Sequence, residues 1–369
     1  MIDTIHRILN SLLLAALLVS CAVAEQPILS PTAGPTASQV PATPVPPTEL
    51  VLMTHDSFAI SESVLATFQR ETGATVRVLT AGDAGSMVNQ AILTRESPLA
   101  DVLYGVDNTF LSRALDANIF EPYRSRLEDN VPPQLDPDDR ERVAPIDYGD
   151  VCVNYDRAAF DSALAAPTNL EQLTEPAYRS MLVVENPATS SPGLVFMLAT
   201  IARFGDEGDY TWLDYWADLR DNDVLAVSGW ELAYNQHFSG GPGAGDRPLV
   251  VSYATSPVAE VYFAEPQPEE APTAVMTDGC FRQVEYAGVL AGANAPQLAR
   301  DFIDFMLSPE FQSDVPLNMF VFPASTQAEV PPVFIEHAAH VAEPLTMEPG
   351  RIAANRERWL QEWTDAVLR

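Results

Sequence analysis

Residues 186–205 read N-P-A-T-S-S-P-G-L-V-F-M-L-A-T-I-A-R-F-G, and an apolar run, Met181 to Val184, leads into them. The run reads as a buried strand and the stretch from Gly193 as an apolar helix, so Thr189, Ser190, Ser191 and Gly193 fall on the turn between. Pro192 suits a first helical turn, where its missing N–H costs nothing. Such a turn carries free backbone N–H groups, the positive end of the helix dipole and small hydroxyl side chains. It serves either as an ordinary N-cap or as a seat for an anionic or strongly polar ligand group.

The same unit of strand, polar turn and helix recurs upstream. A strand over 49–54 is followed by His55-Asp56-Ser57-Phe58 and a helix over 61–72 that stops at Gly73; a strand over 75–79 is followed by Gly82-Asp83-Ala84-Gly85-Ser86 and a helix over 87–96. A third strand, 101–104, precedes Gly105-Val106-Asp107-Asn108 and a helix ending near Asn118. Repetition of this unit predicts an α/β fold with a mostly parallel sheet, whose ligands gather at the strand C-terminal ends where the polar turns lie. Helices are predicted over 169–179, 193–204, 209–222 and 229–238, interleaved with strands at 181–184, 224–227 and 248–253. Ser239 to Arg247 is glycine-rich without phosphate-loop spacing and reads as a flexible link. Two extended segments, 144–155 and 280–290, carry the chain between the two sets of units and form a two-stranded hinge. On this reading 49–147 with 285–330 make lobe 1, 148–284 make lobe 2, and 331–369 is a C-terminal segment whose terminal amphipathic helix carries Trp359 and Trp363.

A chain of 369 residues suits two lobes better than one small core. Its net charge of −31, with 51 acidic residues, excludes a nucleic-acid backbone as partner and permits cationic ligands. Residues 1–20 read as a signal peptide, with His6 and Arg7 ahead of an apolar run too short to span a membrane. The run ends in Leu18-Val19-Ser20-Cys21, which resembles the bacterial lipobox and implies lipidation at Cys21 and a place on the outer face of the cytoplasmic membrane. Residues 21–48 are rich in Pro, Thr, Ala and Ser and read as a disordered tether. Cys152 and Cys280 then remain, and outside the cytoplasm such a pair is most simply a disulfide. The histidines are too scattered for a zinc pattern, and no nucleotide-binding fingerprint is present, so no metal and no ATP hydrolysis are expected of this chain.

With these features the chain resembles the solute-binding proteins of ABC importers, and within them the thiamine-binding proteins. The resemblance runs over roughly 50–369 through H-D-S-F at 55–58, A-D-V-L-Y-G-V-D-N at 100–108, I-D-Y-G at 146–149, T-S-S-P-G-L at 189–194, S-G-W-E-L-A-Y at 228–234 and S-Y-A-T-S-P at 252–257. M-L-S-P-E-F-Q at 306–312 and P-L-N-M-F-V-F-P at 316–323 extend it. It implies a two-lobed type II periplasmic-binding-protein fold and a monomeric, non-enzymatic carrier. That carrier would deliver thiamine, a thiamine phosphate or a precursor to a permease and its ATPase subunit, with no cofactor beyond the ligand. Thiamine calls for aromatic faces, a negative environment for its thiazolium and polar donors for its hydroxyl or phosphate. The matched blocks imply Trp230, Tyr234, Tyr253 and Phe320 as ring contacts and Asp56, Ser57, Asp147 and Tyr148 near the cation. Asp83, Gly85, Ser86, Thr255 and Ser256 are implied as polar contacts, with Thr189, Ser190, Ser191 and Gly193 at the hydroxyl or phosphate end.

The family pattern has tryptophans where Ala59 to Glu62 and Phe320 stand, and an aromatic near Ala259, so fewer aromatic walls are expected. Two other solutes, iron(III) or a polyamine, are the alternatives within the binder class. Thiaminase-type enzymes share the fold and use a cysteine nucleophile, so a free thiol at Cys152 would mark a secreted transferase. Cys280 opens the hinge segment that pairs with the one holding Cys152, which favours the disulfide.

Overall fold

The structure is a computed structural model and describes residues 48–135 and 142–369. The leader expected over 1–20, Cys21 and the tether as far as residue 47 lie outside the described residues. The first half of the fold contains β1 (Glu49–Thr54), α1 (Glu62–Thr72), β2 (Thr75–Thr80), α2 (Ala84–Leu93), β3 (Val102–Asp107) and α3 (Leu111–Asp116). β1 lies between β2 and β3 and pairs parallel with both. β1 from Leu50 onward and β3 throughout are buried and mostly apolar, as strands covered on both faces are, whereas β2 is the exposed edge. The third strand was expected to end at Tyr104. It runs to Asp107 because Gly105, at φ 98°, takes up a bulge that a side-chain-bearing residue would resist.

The chain then passes through β4 (Ala144–Asp156), β5 (Leu182–Glu185), α4 (Ser191–Phe204), α5 (Trp212–Asp221), β6 (Leu225–Val227), α6 (Trp230–Leu232), β7 (Leu249–Tyr253), α7 (Ser256–Tyr262) and β8 (Thr273–Val289). β5 pairs parallel with β6 and β7, so the second half repeats the plan of the first. The helix predicted over 169–179 is instead two 3-10 turns, Glu171–Thr174 and Pro176–Tyr178. Pro176 forces Glu175 into an extended conformation and breaks the run between them. The helix predicted over 229–238 narrows to α6, which continues as a wider π turn over Ala233–His237.

β4 and β8 join the halves. They pair antiparallel with each other, β3 pairs with β8 from Asp107↔Glu285 to Val102↔Val289, and β7 pairs with β4 from Val151↔Tyr253 to Tyr155↔Leu249. The strand order is β2-β1-β3-β8-β4-β7-β5-β6, and the two crossing strands form the expected hinge. The Cys152–Cys280 disulfide ties them together. α8 (Pro296–Met306), α9 (Pro309–Asn318), β9 (Phe322–Pro323), α10 (Pro332–His337) and α11 (Pro349–Val367) complete the chain. β9 pairs with β4 at Asp147 and Tyr148, which brings Phe320 to the hinge.

Candidate functional site

A cavity of about 610 Å³ opens where the strand ends of the two halves face each other. Its floor is the hinge. Asp147 and Gly149 of β4 stand opposite Glu285 and Gln283 of β8 in register, and strand alternation turns all four toward the cavity. Gly149 gives room to the Tyr253 ring: a Cβ there would lie 2.8 Å from Tyr253 Cδ1. Tyr253 donates through its hydroxyl to Gln283 Oε1 at 3.3 Å.

One wall comes from α6 and its continuation. Trp230 stacks on Tyr234 with ring centroids 4.9 Å apart and planes 15° apart, its indole N–H donates to Ser252 Oγ at 2.9 Å, and the Tyr234 hydroxyl donates to Glu260 Oε1 at 2.8 Å. Trp230 is therefore an aromatic face whose orientation is set from behind. Phe320 also lines the cavity, held at φ 53° while its carbonyl accepts from Thr255 Oγ1 at 2.5 Å. Phe263, 70% exposed after α7, meets Phe320 at 5.6 Å between ring centroids.

The lining is acidic. Asp83, Asp147, Glu231, Glu260 and Glu285 line the cavity together with His55, and the lining contains no Lys or Arg. His55 Nε2 lies 3.4 Å from Glu285 Oε2, with its ring against Gly105, where a Cβ would stand 2.2 Å from Cδ2. Burial works against the charged imidazole, but the pull of Glu285, then Asp83 and Asp147, overrides it and raises its pKa to about 9. Burial pushes Asp147 well above the ordinary carboxylate range and Glu285 adds to the shift, although Tyr104 donates its hydroxyl to Asp147 in a short hydrogen bond. Burial likewise raises Asp83, against hydrogen bonds from the Trp230 and Ala84 N–H groups. Asp107, just behind, is raised to about 6 by burial.

Of the residues singled out from sequence, Ser57, Asp83, Asp147, Ser191, Trp230, Tyr234, Tyr253, Ser256 and Phe320 line this cavity. The others lie beside it. Asp56 is exposed, Ser86 sits within α2, and Tyr148 points to the opposite face of β4, where it stacks on Phe322 at 5.4 Å. Thr189 donates to the Ser228 carbonyl at 2.6 Å, Ser190 is the buried N-cap residue of α4, and Thr255 holds Phe320. Gly85 and Gly193 are close-approach positions: a Cβ would meet the Ala188 carbonyl at 2.9 Å and the Glu185 carbonyl at 2.5 Å, respectively. Neither His55 nor Glu285 is among the residues singled out from sequence, yet both line the cavity. The signal was Glu285 itself, a carboxylate in the extended segment C-F-R-Q-V-E-Y-A-G-V-L. Glu231 and Glu260 gave no signal among so many surface acids. Among the described residues no three His, Cys, Asp or Glu side chains converge to hold a metal ion.

Two α/β halves hinged on a pair of long strands, with a deep cleft at the hinge, define a ligand-capturing protein of the type II periplasmic-binding fold. The chain belongs to the bacterial extracellular solute-binding proteins, whose family model matches residues 97–342. It is similar to the thiamine-binding periplasmic protein of Salmonella typhimurium, at 28% identity over 324 residues, 87% of this chain and 94% of that protein. The Escherichia coli protein of the same name is also 28% identical, over 325 residues and the same shares. Among solved structures a periplasmic thiamin binding protein superposes with a TM-score of 0.76 at 27% identity, covering 90% of this chain and 100% of that one. Iron-bound HitA from Pseudomonas aeruginosa shares the fold, with a TM-score of 0.66 at 20% identity over 87% of this chain and 99% of that one. The relatives are carriers, and this chain is a solute-binding protein of the extracytoplasmic space, not an enzyme.

Proposed function

We propose that this protein captures thiamine outside the cytoplasm and delivers it to the permease of an ABC importer. The observation that carries the reading is the pairing of an aromatic wall, Trp230 backed by Tyr234, with five lining carboxylates and no Lys or Arg in one cavity. An aromatic face and a negative surround are what a permanently charged thiazolium joined to an aminopyrimidine requires. The cavity's volume lies in the range of small-molecule sites, about 300–1,000 Å³. The thiamine-binding relatives support the same ligand. No cofactor is needed besides the ligand. The protein acts as a monomer, its lobes at 49–147 with 285–330 and at 148–284 closing on the ligand through contacts made to both. A lipid at Cys21 holds it on the outer face of the cytoplasmic membrane, with residues 21–48 as its tether.

Titration calorimetry of the full chain with thiamine tests the reading: saturable one-to-one binding, with unchanged ligand recovered, is the expected result. Trp230→Ala removes the stacking face and is expected to weaken binding by about 10- to 30-fold, the scale of a desolvated cation–π contact. Absence of heat with thiamine, or a Trp230→Ala variant as tight as the native protein, contradicts it.

A further inference from the structure

Side chains lining the cavity divide by burial, and the polar ones lie inside. His55, Asp147, Ser191, Gln283 and Glu285 are buried, whereas Ala59 and Phe263 are exposed and Ala259, Met319 and Phe320 half-buried. The side of the cavity that meets solvent is thus largely apolar, although a solvent-facing rim is ordinarily the polar part of a binding surface.

The apolar rim residues touch one another. Ala259 and Phe263 stand one turn apart at the end of α7, the Phe263 N–H donating to the Ala259 carbonyl at 3.0 Å, and so share a face. The Phe263 ring meets Phe320 at 5.6 Å and Tyr262 at 5.1 Å between centroids, and the Ala59 N–H donates to Met319 Sδ at 3.0 Å. A lone exposed apolar side chain signifies little, but a contiguous aromatic cluster on the edge of a cavity marks a binding surface. Polar side chains of the same zone are engaged within the protein. Ser57 donates to Glu231 Oε1 at 2.8 Å, Tyr234 to Glu260 Oε1 at 2.8 Å and Asn318 to the Asp314 carbonyl at 2.9 Å.

We propose that this rim is a subsite for an apolar arm of the ligand, so that the protein also takes organic cations whose alkyl substituent covers Phe263. This rests on the reading of the cavity as a cation site and extends it outward. The cationic head uses the Trp230 face, with the Glu231 carboxylate beside it in the chain, as a quaternary nitrogen does over an indole. The arm takes Phe263, 70% exposed, out of water together with its own methylenes.

Calorimetry of the full chain with butyl-, hexyl- and octyltrimethylammonium, alongside thiamine, tests the proposal. Affinity is expected to rise about two- to fourfold per added methylene, and thiamine to displace the octyl compound. Phe263→Ser alters a side chain that is already mostly in solvent, so the fold withstands it, and is expected to lower the octyl-to-butyl affinity ratio by about fivefold. Three results overturn the proposal and leave the thiamine reading intact: thiamine binding with none of the series bound, an affinity independent of chain length, or bound thiamine that leaves the octyl compound in place. An octyl-to-butyl ratio that Phe263→Ser leaves unchanged overturns it as well. If thiamine gives no heat while the series binds with the expected gradient and Phe263 dependence, the thiamine reading falls and the subsite stands. If neither thiamine nor the series binds, both fall.

Discussion

His55 is the lone basic side chain in an acidic cavity, and its charge is a folding matter before it is a binding matter. Its pKa rises from 6.5 in the ordinary state to about 9 in the folded protein, so the stabilisation it brings is fully present below about pH 6.5 and is lost as pH rises through about 9. The shift corresponds to about 3 kcal/mol. Urea unfolding of the native protein is therefore expected to show a stability loss to which His55 contributes up to about that size between pH 6.5 and 9, and His55→Gln to show a shallower loss, since the buried Asp147, also raised, is present in both proteins. Equal slopes in the two proteins contradict the assignment. Asp83, Asp147, Trp230, Tyr253 and Ser256 were legible in the sequence because each follows from a turn at a strand end or from a matched block. The His55–Glu285 pair was not, because its partners lie 230 positions apart in the chain and meet only when β3 and β8 have paired. Tyr148 shows the limit of block matching: alternation along β4 decides which face a side chain takes, and it takes the face opposite Asp147.

At the level of elements, the sequence pattern predicted most strands and helices because the burial they need is written in their periodicity. α4 is the strongest case, buried at every position from Ser191 to Ile201. Where the pattern failed, local backbone chemistry intervened, as at the Glu175–Pro176 step and the Gly105 bulge. Gly193 shows what such chemistry does for the site. α4 starts so close to β5 that a Cβ on residue 193 would stand 2.5 Å from the Glu185 carbonyl oxygen and 2.8 Å from its carbon. Gly193→Ala is expected to destabilise the protein by about 1–3 kcal/mol, the overpacking cost outweighing a helix-propensity gain of about 1 kcal/mol. It also shifts Ser191 and Pro192 in the cavity wall, so ligand affinity falls with stability. Gly350→Ala is the control. Nothing lies within 4 Å of a Cβ at that position in α11, so the same exchange is expected to be neutral or to stabilise by up to about 1 kcal/mol. Urea midpoints for both variants decide; a neutral Gly193→Ala refutes the close-packing account.

Across the whole molecule, three features tie the halves together: the crossing strands β4 and β8, the disulfide between them, and α11. The last helix reaches both sides. Buried Arg356 donates to the Thr109 carbonyl at 3.3 Å and to Ser112 Oγ at 3.2 Å in the first half, while Arg220 of α5 donates to the Ala366 carbonyl at 2.7 Å in the second. The disulfide closes a loop with a sequence separation of 128, for which chain entropy alone gives about 5 kcal/mol; strain and denatured-state structure commonly reduce this to about 2–4. Neither sulfur lines the cavity, and Cys152 and Cys280 pack with Ala254 in a small apolar cluster apart from the main core. The bond thus locks the hinge strands in register without taking part in ligand contact, and it occupies the thiol that a cysteine-based enzyme of this fold would need. Cys152→Ser/Cys280→Ser is expected to lower unfolding stability by about 2–4 kcal/mol while leaving thiamine affinity within about twofold, measured well below the lowered midpoint. A parallel collapse of affinity, with the variant still folded by circular dichroism, would mean that the hinge geometry itself depends on the bond and that β4–β8 pairing cannot hold Asp147 and Glu285 in place unaided.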